Sequence, residues 1–176
     1  MNGQIETKLL GRKVTVMGGR YREKPDSIKG VKLAPEIDAP ADVILDIPDF
    51  SVPTLNSGDN AIYQALKILC EDGAIYIGCM GGIGRTGMFM AMLIRTIGIL
   101  NLEAEQKTWW YKIKQFFGAD PSPYLQMVNY PVEFVRDEYM SLAIETSEQE
   151  KFVRWYDPTE MLTVRERIYN CMDITR

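Results

Sequence analysis

The stretch from Ala74 to Leu100 constrains the fold more than any other part of the chain. Ala74 to Ile77 (AIYI) reads as a short apolar strand of the kind buried on both faces. A glycine-rich turn follows at once, and then an apolar run that predicts a helix from about Arg85 to Leu100. Between Gly87 and Ile99 this run is apolar nearly all round, so the helix belongs at the centre of the molecule rather than on its surface. A buried strand that feeds a buried helix through a tight turn is the building unit of α/β folds.

The flanking sequence extends that pattern. Lys13 to Met17 (KVTVM) is a strand candidate ending at Gly18-Gly19, and Val43 to Ile47 (VILDI) is a second, stopped by Pro48. Between them, Pro25, Gly30, Pro35 and Pro40 predict a loop-rich segment over 20–40. Ile62, Ala65, Leu66 and Leu69 form a helical stripe within 59–70, with Ser57 or Asp59 as cap candidates and Glu71-Asp72-Gly73 as its end. The order strand, helix, strand, glycine loop, helix predicts an α/β domain with a central, mostly parallel sheet flanked by helices. Further helices are expected at 103–117, at 131–156 with a break near Thr146-Ser147, and at 158–170, with loop over 118–131. Trp109, Trp110, Ile113, Phe116 and Phe117 share one face of the first of these. The length of 176 residues fits a single domain over 1–176.

Composition matters chiefly through a zero: the chain has no histidine. A Ser-His-Asp triad, a Cys-His pair and every histidine-containing zinc site are therefore excluded within the chain. Three cysteines cannot build an all-cysteine tetrahedral zinc site either, so structural zinc is not expected within one chain, and no motif calls for a cofactor. Cys70, Cys79 and Cys171 are odd in number and lack framework spacing, which reads as a reduced, intracellular protein. The N-terminal residues hold no apolar core of signal-peptide type, and the run from Gly87 to Leu100 is too short to span a bilayer. A cytoplasmic location without membrane association follows as an expectation. A pI near 5.0 argues against a general nucleic-acid binder.

The chemistry concentrates in residues 75–87, IYIGCMGGIGRTG. Gly81, Gly82 and Gly84, with Met80 and Ile83 between them, let the backbone curl so that its N–H groups point inward. Those donors and the start of the following helix make an anion site. The same field favours the thiolate form of Cys79. Arg85 can fork onto two phosphate oxygens, and Thr86 can hydrogen-bond the sulfur and ease its departure from a covalent intermediate. These parts suit phosphoryl transfer to cysteine.

The run Cys79-Met-Gly-Gly-Ile-Gly-Arg85-Thr86-Gly resembles the Cys-x5-Arg-Thr/Ser phosphate loop of protein tyrosine and dual-specificity phosphatases. Upstream, Asp46-Ile-Pro-Asp49-Phe-Ser-Val-Pro53 is similar to the general-acid loop of small members, and Asp49 lies 30 residues before Cys79, a separation like the family's. Downstream, Ala143 to Val153 (AIETSEQEKFV) resembles the segment that brings a glutamine to the hydrolytic step. The resemblance covers roughly residues 42–100 and 141–156. It implies a dual-specificity-phosphatase-like fold and a metal-independent phosphatase with these roles: Cys79 as nucleophile; Arg85 and the backbone of residues 80–85 on the phosphoryl oxygens; Asp49 as acid and then base; Thr86 assisting thiolate departure; Gln149 positioning water. The implied substrate is a phosphorylated protein or peptide, at tyrosine or at serine and threonine. The loop from Met80 to Gly84 carries no lysine, which favours a singly phosphorylated group.

Two departures stand out. A histidine usually precedes the nucleophile in this family; here it is Gly78. Seventy residues separate Cys79 from Gln149, more than compact members use, so an insertion is expected at about 105–140.

Other readings attach to the same residues. Gly82-Ile-Gly84-Arg-Thr-Gly87 matches a dinucleotide-binding G-x-G-x-x-G, with Glu103 as ribose acid, but that would leave Cys79, Arg85 and the Asp49 loop without a role. Asp46 is the alternative acid. Cys70 is read as core, with a redox disulfide to Cys79 as the alternative, and Arg20-Tyr21 as surface. A phosphate-binding pseudophosphatase is motivated by Gly78. An RNA 5′-triphosphatase or nucleotide phosphatase is the less favoured activity, with Lys107, Lys112 and Lys114 as its support.

Overall fold

The structure, a computed structural model, describes residues 3–107 and 122–158. Its strands are β1 (Gly3–Leu9), β2 (Arg12–Arg20), β3 (Gly30–Lys32), β4 (Val43–Ile44) and β5 (Ala74–Cys79). Its helices are α1 (Leu55–Asp72), α2 (Gly84–Gln106), α3 (Tyr124–Asn129), α4 (Pro131–Glu138) and α5 (Ser147–Trp155). The five strands form one sheet in the order β1-β2-β5-β3-β4. Every pairing is parallel except the β1–β2 hairpin, so the sheet is mixed and mostly parallel.

The short strand read at 74–77 is the middle of this sheet and extends two residues further, to Cys79. It is buried along almost its whole length between β2 and β3, which is why its sequence is continuously apolar rather than alternating. β1 escaped the sequence reading because its pattern is faint. Ile5 and Leu9 face the core, but Thr7 on the same side is only half-buried and polar, while Glu6 and Lys8 are exposed. β3 lies in the expected loop and is three residues long, too short to carry a period. In VILDI only Val43–Ile44 is regular strand, yet the Leu45 and Ile47 amides still donate to Lys32 O (2.9 Å) and Leu33 O (3.2 Å).

α1 starts earlier than its apolar stripe. Thr54, rather than Ser57 or Asp59, is the cap, and its Oγ1 accepts from the Ser57 amide. Gly73 closes the helix, as Glu71-Asp72-Gly73 suggested. α2 packs on β5, β2 and β1 with one side and carries α3, α4 and α5 on the other. It runs past the apolar run to Gln106, because Asn101 is buried and useful: its side chain accepts from Leu10 N (2.7 Å) and donates to Lys8 O (2.6 Å), clamping the β1–β2 turn. At 23 residues α2 is long and apolar enough to cross a bilayer, but 78% of its most apolar stretch is buried inside the fold. Its apolarity therefore serves the core.

The break expected near Thr146-Ser147 separates α4 from α5, and Thr146 is the α5 cap. Of the segment 105–140, the described part after residue 121 forms α3 and α4 against α2. The Trp109/Trp110 face, Lys112 and Lys114, and the helix expected at 158–170 apart from Pro158 lie outside the described residues.

Candidate active site

The junction of β5 with α2 builds the site. Cys79 is the last residue of β5 and 3% exposed. Its Sγ accepts two hydrogen bonds, from Gly82 N at 3.2 Å and from Thr86 Oγ1 at 3.1 Å. Gly82 has φ +76°, and a Cβ there would sit 2.5 Å from the Gly19 carbonyl carbon and 2.8 Å from Arg20 N. Only glycine fits both the backbone angle and the gap. Ile83 caps α2, Gly84 opens it, and Thr86 is fully buried in its first turn. Met80, by contrast, is exposed at the rim.

Arg85 is 3% exposed and each of its terminal nitrogens meets two oxygens. Nη1 donates to Ile47 O (3.0 Å) and Glu36 Oε2 (3.1 Å). Nη2 reaches Glu36 Oε1 (2.6 Å) and Asp49 Oδ1 (3.0 Å). Burial alone would weaken the charge on Arg85. The Glu36 hydrogen bonds, the Cys79 sulfur and the Glu36 and Asp49 carboxylates outweigh it, and the guanidinium is held above its ordinary pKa. In return, the Arg85 hydrogen bonds hold the Glu36 carboxyl below its ordinary range.

Asp49 sits in the turn after Ile47, exposed on one side and paired with Arg85 on the other. Asp46 is also exposed but lies between buried Leu45 and Ile47, and no contact joins it to Arg85 among the described residues. Gln149 is fully buried. Its Oε1 accepts from the Glu145 and Thr146 amides, which completes a capping box at the start of α5, and its Nε2 donates to Ser51 O at 3.4 Å. Gln149 thus ties α5 to the loop carrying Asp49.

Gly78 has a steric cause. A Cβ at this position would lie 2.7 Å from Tyr21 Cα and 2.8 Å from Tyr21 N, so the chain after β2 fills the place where any side chain would stand. A Gly78→Ala variant is expected to be destabilised by about 1–3 kcal/mol through overpacking, and Gly78→His by more. Denaturant midpoints at constant m-value check this; a Gly78→His protein as stable as wild type would overturn it.

Cys70 is a buried cysteine in no disulfide near the end of α1, just ahead of the β5 start, whereas Cys79 ends that strand. The length of β5 therefore lies between them, and a direct disulfide is not formed. Among the described residues, no group of three or more His, Cys, Asp or Glu is placed to hold a metal ion.

Three features of the site were not legible in the sequence. Glu36 comes from the loop-rich segment, 49 positions before Arg85. It is presented by a turn in which Ile37 N bonds to Ala34 O and the buried Lys32 ammonium donates to Ile37 O. Nothing in its local sequence distinguishes it. Of Arg20-Tyr21, read as surface, Arg20 is exposed but Tyr21 is buried; Arg20 pairs in register with Cys79 across β2 and β5. With Arg22, Glu23, Ile37, Met80 and Gly81 it lines a cavity of about 440 Å³ at the nucleophile. Tyr139 follows α4, and its hydroxyl donates to Gly82 O at 2.6 Å.

Residues 31–98 match a sequence family described as a polymorphic toxin system DSP-PTPase phosphatase. Two uncharacterized proteins of Methanocaldococcus jannaschii are similar to the chain. One is 27% identical over 110 residues, 62% of this chain and 51% of the relative; the other is 29% identical over 111 residues, 62% and 55%. The chain spans about half the length of the curated relatives it matches. Among solved structures, the crystal structure of Tk-PTP in the active form is similar in fold, with a TM-score of 0.50 over 86% of this chain and 92% of that one, at 18% identity. The residues matched by the family model include Glu36, Asp49 and the whole Cys79–Thr86 loop, and the fold is similar to that of Tk-PTP.

Proposed function

We propose that the chain hydrolyses phosphate monoesters through a phosphocysteine intermediate, with phosphorylated tyrosine, serine or threonine side chains of proteins as substrates. The observation that carries this reading is the pairing of one buried thiol with its donors: Cys79 Sγ receives Gly82 N and Thr86 Oγ1 while Arg85 waits beside it. In the first step Sγ attacks phosphorus, the P–O bond to the leaving group breaks, and the leaving oxygen takes a proton from Asp49. In the second, water attacks the phosphocysteine, Asp49 accepts its proton, and the S–P bond breaks with Thr86 stabilising the departing sulfur. Arg85 and the backbone N–H groups of residues 80–85 hold the three phosphoryl oxygens in both steps. No metal enters the scheme.

The resting geometry supports a specific role for Asp49. Its carboxylate lies on Arg85 Nη2, so a phosphate that forks onto the guanidinium replaces it there and releases it toward the leaving oxygen. Gln149, through Ser51, fixes the base of the loop that must make this shift. Asp49→Asn is expected to lower kcat about 10²–10⁴-fold for alkyl phosphates and far less for a nitrophenyl phosphate, whose leaving group needs no proton. An equal loss on both substrates would remove Asp49 from the acid role.

The cavity at Cys79 supports this substrate class. Ile37 and Met80 give it apolar walls, and Glu23 stands among its arginines, which suits one phosphate on a side chain better than a dense polyphosphate. The test is phosphate release from phosphotyrosine and phosphoserine peptides, phosphoinositides and triphosphate-ended RNA. Peptides should give the highest kcat/KM; a higher value on triphosphate RNA would replace the proposed substrate, and release from none of them would leave a binding module.

A further inference from the structure

We infer that the Tyr139 hydroxyl sets the orientation of the peptide between Gly82 and Ile83, which makes Tyr139 a positioning residue for anion binding; this rests on reading residues 79–85 as a phosphate site. The Tyr139 ring is 9% exposed and cannot drift. It fills the space above two strand glycines: a Cβ on Gly3 would lie 2.6 Å from its ring, and one on Gly18 would lie 2.9 Å away. Its hydroxyl donates to Gly82 O at 2.6 Å across 57 positions of sequence. Burial, and then Tyr76 and Cys79, push its ionisation above the ordinary tyrosine value, so the hydroxyl keeps its proton.

The consequence lies on the other side of that peptide. In a trans peptide the carbonyl and the following N–H point in opposite directions. Anchoring Gly82 O on Tyr139 therefore turns the Ile83 N–H away from Tyr139, toward the concave side where the Gly82 amide already meets Cys79 Sγ. Gly82 needs such an anchor, because a glycine at φ +76° offers little resistance to a peptide flip. The next carbonyl, Ile83 O, accepts from Gly87 N of α2 at 2.9 Å and also from Ile144 N at 3.4 Å. Ile144 adopts φ +67° to do so, a costly conformation for a β-branched residue. The segment between α4 and α5 thus anchors Gly82 O alone and shares Ile83 O with α2, and the Ile83 amide is left for a ligand.

The experiment uses Tyr139→Phe, which keeps the ring and removes only the hydroxyl. Four quantities are compared with wild type: the thermal midpoint, the Kd for inorganic phosphate by calorimetry, kcat and KM on an aryl phosphate, and the rate of Cys79 alkylation by iodoacetamide, which needs no oxyanion donor. The expected result is a phosphate Kd and a KM weakened about tenfold, as for loss of one well-placed donor, with midpoint and alkylation rate near wild type. An unchanged phosphate Kd in an otherwise active protein overturns the inference and leaves the proposed function standing. A parallel fall in midpoint, alkylation and affinity also overturns it, because it marks a merely structural residue. Wild-type protein that neither binds nor releases phosphate overturns both readings. Should the variant not fold, titrating wild type with phosphate decides the matter: the Ile83 amide proton is expected to move downfield in the NMR spectrum, and an unmoved signal overturns the assignment.

Discussion

Cys79→Ser is expected to lower phosphate release from an aryl phosphate by at least about a thousandfold, while inorganic phosphate still binds. The two halves of this expectation have separate causes. A serine hydroxyl is a far weaker nucleophile than a cysteine sulfur, and the hydrogen bonds from Gly82 N and Thr86 Oγ1 cannot close a gap of that size. On the proposed reading, binding depends instead on the backbone donors of residues 80–85 and on Arg85; of these only the Gly82 amide bonds the sulfur, and a serine oxygen can accept from it as well. Serine is also close in size to cysteine, so this nearly buried position should accept it without loss of fold. Undiminished release by the variant would remove Cys79 from the mechanism. Loss of phosphate binding together with activity would mean that the sulfur shapes the loop rather than reacting.

The sequence exposed those parts of the molecule that are local. The strand AIYI, its turn and α2 lie in one unbroken run, so periodicity and glycine placement reveal them. Cys79, Arg85 and Thr86 come with them because this loop closes on itself within a few residues. Asp49 was legible because Pro48 and Pro53 mark its turn. What stayed hidden is held by long-range packing. Glu36 and Tyr139 reach the loop from 49 positions before Arg85 and 57 after Gly82, through a short turn and a buried ring that no local pattern records. Gln149 looked like one polar residue on a charged helix, and its burial depends on a capping box and on Ser51. Gly78 looked like a missing histidine. The register of β2 with β5 brings Tyr21 against it, which sequence alone does not display.

The second large effect is expected at Arg85. Arg85→Lys should lower kcat/KM on an aryl phosphate by about 10²–10³ and destabilise the fold by about 1–3 kcal/mol. Lysine keeps the charge but not the planar fork. Arginine spreads four contacts over two nitrogens, to Ile47 O, both Glu36 oxygens and Asp49, whereas one ammonium must share three protons among oxygens that stand on different sides. The same geometry gives a pH signature. Arg85 holds the Glu36 carboxyl below its ordinary range, so the folded state binds fewer protons there than the unfolded chain. The stabilisation from this pair is therefore complete above the unfolded carboxyl value and fades as pH falls through the lower folded one. Against wild type, Arg85→Gln should show its largest stability deficit near neutral pH, and the deficit should shrink on acidification through the carboxylate range. Urea midpoints of both proteins between pH 7 and pH 3 read this directly. A deficit that is flat across that span would mean that Glu36 and Arg85 do not communicate, and that Arg85 is kept in place by Ile47 O alone.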